Sequence, residues 1–65
     1  MHVAVRDQIH ERWAEGSADE KPTVEAITEE IKKRGWAAYD VDIFKDEMMS
    51  CWRFTAKIKR FNKGS

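Results

Sequence analysis

The chain has 65 residues, 37% of them charged, with 12 Lys and Arg balanced by 12 Asp and Glu. That length describes one small domain, 1–65, and the lone Cys51 excludes an internal disulfide or a multi-cysteine zinc site. With no apolar run long enough for a signal peptide or a membrane span, the expectation is a cytoplasmic chain with no membrane partner.

The N-terminal segment carries Val5, Ile9 and Trp13 at intervals of four, a narrow apolar stripe that predicts a helix over about 3–15. Asp7–Glu11 and Glu11–Glu15 would be like-charge pairs on that helix, so its stability would rest on packing. Gly16 ends it, and 16–21 reads as a polar loop.

The next element is predicted over 22–34. Pro22 suits a first helical turn, where its missing N–H is not needed. Val24, Ile27 and Ile31 share one face, and Glu29–Lys33 and Glu30–Arg34 are favourable pairs. Lys32, Lys33 and Arg34 complement the helix dipole at its C-terminus, and Gly35 follows as the residue that leaves the helix.

From about 37 to 60 two patterns compete. As a hairpin, Tyr39, Val41 and Ile43 alternate with Asp40 and Asp42, and Trp52, Phe54, Ala56 and Ile58 alternate with Arg53, Thr55, Lys57 and Lys59. A register pairing Val41 with Trp52, Tyr39 with Phe54 and Ala37 with Ala56 gathers all six on one face. It also sets Asp40 opposite Arg53 and leaves residues 45–48 as the turn. As a helix, Val41, Phe44, Met48, Cys51, Thr55 and Ile58 share a side. The β-branched and aromatic content favours the hairpin; the absence of Gly or Asn from its turn opposes it. The expected fold is α+β, two short helices packed on one face of a C-terminal antiparallel β-hairpin. The alternative is an all-α, three-helix arrangement like a helix-turn-helix.

The balanced total charge conceals a split. Residues 1–47 hold 7 basic and 12 acidic side chains, whereas 48–65 hold Arg53, Lys57, Lys59, Arg60 and Lys63 and no acid. These five cations are the candidate nucleic-acid contacts, able to follow a phosphate backbone of DNA or RNA. In the expected hairpin Trp52 and Phe54 point into the core, so the cations would lack rings on which bases stack. A helix-turn-helix would carry Arg53 and Lys57 toward a major groove, but Asp40, Asp42, Asp46 and Glu47 fall where its second helix would begin and would repel phosphate.

Those four acids lack the glycine-containing spacing of a calcium loop and read as a solvated turn. His2 and His10 have no third ligand, and Cys51 with His10 has no orienting group for nucleophilic chemistry. The chain is therefore expected to be a non-enzymatic binding or regulatory module without metal, cofactor or small-molecule substrate. Trp36, Met48 and Met49 suggest the alternative, an inhibitor or adaptor that docks a protein partner or a second copy of itself as a homodimer.

Overall fold

In the computed structural model, which describes residues 1–60, the N-terminal segment forms two strands, β1 (His2–Asp7) and β2 (Arg12–Ala18). The helix expected over 3–15 is absent. Val5, Ile9 and Trp13 do not share a face: Val5 packs against the core, Ile9 is 93% exposed between the strands, and Trp13 lies on the opposite side of the sheet from Val5. Two of the acids that would repel along a helix, Asp7 and Glu15, find cations across the hairpin instead. Asp7 accepts from Arg12 at 2.9 Å and Glu15 accepts from Arg6 at 3.4 Å.

Residues 16–21, expected as a loop, are strand as far as Ala18. Gly16 is a strand-interior position, not a helix end. It pairs with Phe54, whose ring lies over it: a Cβ placed on Gly16 would stand 2.6 Å from Phe54 Cζ and would collide with the His2 carbonyl oxygen. Only glycine permits that approach.

The helix α1 (Val24–Lys33) forms two residues later than its expected start. Thr23 is its N-cap, extended at φ −97°, and its hydroxyl accepts from the Ala26 N–H at 3.1 Å. Pro22 therefore precedes the cap. Ile27 and Ile31 are fully buried, whereas Val24 is half exposed. Glu30 holds both Lys33 and Arg34, the latter at 3.4 Å. Gly35 leaves the helix at φ 86°, as its position in the sequence implies.

Two long strands follow, β3 (Trp36–Asp46) and β4 (Cys51–Arg60). The sheet is wholly antiparallel in the order β1-β2-β4-β3, and the single helix covers one face. Over the described residues the fold is thus a small α+β domain of four strands and one helix, and neither the two-helix arrangement nor the all-helical alternative is found there.

The β3–β4 hairpin exists, in a register four residues from the expected one over its distal half. Val41 pairs with Ala56, Ile43 with Phe54 and Asp46 with Cys51, so the turn is residues 47–50, not 45–48. The turn needs no glycine because Asp46 organises it. Its carboxylate accepts the N–H groups of Met48 and Met49 at 3.1 and 3.2 Å, and Ser50 adopts φ 51°. A shift of four preserves which side chains share a face, so Val41 and Ile43 still join Phe54, Ala56 and Ile58. Tyr39 does not. A bulge places Asp40 at φ 56°, and beyond it Tyr39 pairs with Lys57 on the other side of the sheet.

The core is the layer between helix and sheet: Ala14, Ile27, Ile31, Phe54, Ala56 and Ile58, each at most 3% exposed. Val3, Val5, Trp36, Ala38, Val41 and Ile43 pack around it. The guanidinium groups of Arg12 and Arg60 lie over the Trp36 ring, 5.7 and 5.4 Å from its centre, and the ammonium groups of Lys21 and Lys45 lie over Trp52. The two rings close opposite ends of the layer.

Candidate nucleic-acid interface

With α1 on one face, every second residue of each strand is directed to the other face, which no element among the described residues covers. The register arranges these side chains in transverse rows. One row reads Arg6, Trp13, Lys57, Tyr39. The next reads Ala4, Glu15, Thr55, Asp42, and a third reads His2, Ser17, Arg53, Phe44. Lys59 and Ala37 extend the first row's end of the face, and Cys51 and Asp46 extend the third's.

Two rows thus combine rings with cations. Adjacent strands lie about 4.8 Å apart and successive rows about 7 Å apart. Lys57 accordingly stands between Trp13 and Tyr39, its two cross-strand neighbours. Tyr39 is 50% exposed and Phe44 42%. A shallow groove runs over Thr55 and Lys57 between Trp13 and Tyr39. A second hollow adjoins it at Thr55 and is bordered by Arg6, Arg53 and Phe44.

The electrostatics of this face are mixed. Arg53 donates to Asp46 at 2.8 Å, Arg6 to Glu15 at 3.4 Å, and Lys57 lies 3.5 Å from Asp40. Glu15 also accepts from the indole N–H of Trp13 at 3.4 Å, which orients the ring beside Lys57. These ion pairs are solvent-accessible and contribute little stability, about 0.2–1 kcal/mol each, so a phosphate can replace a carboxylate at small cost.

The five cations singled out in the sequence are divided by the fold. Arg53, Lys57 and Lys59 share the open face, whereas Arg60 turns to the helix side over Trp36. Lys63 lies outside the described residues. Trp52 and Phe54 face the helix layer, as the hairpin reading expects, but Trp13, Tyr39 and Phe44 bring other rings to the cations. Sequence reasoning placed Trp13 on a helix and Tyr39 in the core, and so missed this combination. Alternation through Trp13, Glu15 and Ser17 was the available signal for the first; none announced the bulge that turns Tyr39.

Trp36, Met48 and Met49 do not converge. Trp36 begins β3 and the methionines follow its end, roughly 30 Å away along an eleven-residue strand. Met48 is 95% exposed and Met49 65%. Of the acids, Asp46 is committed to the turn and Asp40 to Lys57. His10 and Cys51 sit toward opposite ends of the sheet, so they do not form a nucleophile and base. Among the described residues, no three His, Cys, Asp or Glu side chains gather where they could hold a metal ion, and no helix is long and apolar enough to cross a membrane. The chain matches no protein-family model, no curated protein and no solved structure.

Proposed function

We propose that the open face of the sheet is a non-catalytic platform for single-stranded nucleic acid. The observation that carries this reading is the row in which Lys57 stands between Trp13 and Tyr39 on an uncovered sheet. Unpaired bases expose flat apolar faces that stack on aromatic rings, while their phosphates require cations within a few ångströms. Trp13, Tyr39 and Phe44 provide the rings; Arg53, Lys57 and Lys59, with Arg6, provide the charge. A duplex hides its base faces, and the acids Glu15 and Asp42 on the same sheet oppose the dense phosphate of two strands. The platform therefore favours single strands over duplexes.

Fluorescence anisotropy with a labelled single-stranded oligonucleotide at low salt tests the reading. Binding should weaken as salt rises, with a slope of about −0.7 per phosphate contacted. Reversing Arg53, Lys57 and Lys59 to Glu should remove it. No binding at low salt, or binding unchanged in that triple variant, overturns the proposal.

The exposure of Met48 and Met49 favours a second reading, a protein partner engaged at the tip of the β3–β4 turn. Under that reading a partner captured by the wild type is lost on Met48→Asp with Met49→Asp, and the open-face variants leave capture unchanged.

A further inference from the structure

The two outer edges of the sheet are built differently. β3 carries on its edge the Asp40 bulge at positive φ together with Asp42, Lys45 and Asp46, features that twist and charge an edge against further pairing. β1 has none of these over Val3, Ala4 and Val5, and among the described residues no strand, helix or loop pairs with its outer side. An antiparallel ladder uses the backbone groups of alternate residues. The remaining N–H and C=O groups of β1 therefore point away from β2, toward solvent.

The sequence of this edge is self-complementary. In an antiparallel pair, opposed residues share a face, so β1 can meet a second β1 only in registers that keep Val3 and Val5 on the helix side. A two-fold axis through Ala4 satisfies that condition. It sets Val3 against Val5 of the other copy, twice, and Ala4 against Ala4, with His2 opposite Arg6. Val3 and Val5 are half-buried at the margin of the core, so this pairing covers the apolar surface that the single helix leaves uncovered. On the open side Ala4 is small enough for the two strands to approach. Among the described residues the core holds six buried apolar side chains, and a chain of this length stands to gain from added apolar burial.

We infer that β1 is a homodimerisation edge, at which two copies join antiparallel through Val3, Ala4 and Val5 to form one continuous eight-stranded sheet. The inference is independent of what the open face binds. The interface is a single six-residue strand on each side, so it falls among small, weakly associating contacts and the dimer forms with rising concentration.

Sedimentation equilibrium across a concentration series reads the outcome directly. The apparent mass should rise from the 7.6 kDa monomer toward twice that value. Ala4→Lys places like charges opposite one another on the axis and should remain monomeric with an unchanged circular dichroism spectrum. Ala4→Glu should behave likewise, and an equimolar mixture of the two variants should recover the dimer. Should either charged variant lose its fold, Ala4→Cys in a Cys51→Ala background provides a second measurement. The opposed Cα atoms of such a pair lie within disulfide range, so mild oxidation should yield a linked dimer. A wild type monomeric at every concentration overturns the inference. So does a dimer that persists in Ala4→Lys, or an Ala4→Cys chain that stays unlinked at concentrations where the wild type dimerises.

Discussion

The two faces of the sheet use the same strands and differ in what covers their side chains. On the face that α1 covers, Ala14, Ala56 and Phe54 of the central strands are at most 2% exposed and, with Ile58, pack in one core with the fully buried Ile27 and Ile31. One residue away along each strand, the uncovered face carries Trp13, Glu15, Lys57 and Tyr39. Rings stand on both faces: Phe54, Trp36 and Trp52 in or at the margin of the covered layer, and Trp13, Tyr39 and Phe44 on the face that no described element covers. A nucleic acid on the proposed platform would cover the partly exposed rings Trp13, Tyr39 and Phe44.

That contrast can be broken most decisively at Phe54, at the centre of the covered face. Phe54→Ala should cost about 3–5 kcal/mol, most or all of the stability of a domain this small, and should appear as loss of cooperative thermal unfolding. On the uncovered face, Trp13→Ala, Tyr39→Ala and Phe44→Ala should each leave the fold intact. Each should weaken binding of a single-stranded oligonucleotide by about 1–3 kcal/mol, measured by anisotropy. If Trp13→Ala instead unfolds the chain as Phe54→Ala does, the two faces are not distinct in role.

Gly16→Ala tests the close packing on the covered face. The added methyl must displace the His2 carbonyl and the Phe54 ring, at a cost of roughly 1–3 kcal/mol in chemical denaturation. Thr23→Ala removes the cap of the covering helix and should cost about 1 kcal/mol by the same measurement. The smallest effect belongs to the bulge that turns Tyr39 outward. Asp40→Gly relieves positive φ and forfeits only an exposed ion pair, so stability should change by less than about 1 kcal/mol. Asp40→Val, a β-branched residue in the same conformation, should be destabilising by about 1–2 kcal/mol.

Several features were legible in the sequence because their causes are local. The helix is specified by Ile27 and Ile31 at helical spacing, by Glu30 four residues before Arg34, and by Gly35 at its end. Strand β4 is legible in the strict alternation of Phe54, Ala56 and Ile58 with Arg53, Thr55, Lys57 and Lys59, and that alternation correctly turns the last four outward. The hairpin partner of β4 was legible for the same reason, and the even register error did not move Val41 or Ile43 off the core face.

The rest depended on partners distant in sequence. Val5, Ile9 and Trp13 recur at four-residue intervals, a multiple of both the strand period and nearly the helical one. Their spacing alone does not distinguish a helix from two strands and a turn. Pairing of β2 with β4 resolves it, because as strand residues Ala14 enters the core opposite Ala56 and Gly16 lies against the Phe54 ring. The candidate site has the same origin. Trp13 and Tyr39 flank Lys57 because two separate strands pair with β4 and a single bulge at Asp40 reverses one side chain. Local propensity carries no information about either event; long-range backbone pairing and the packing of one helix set both.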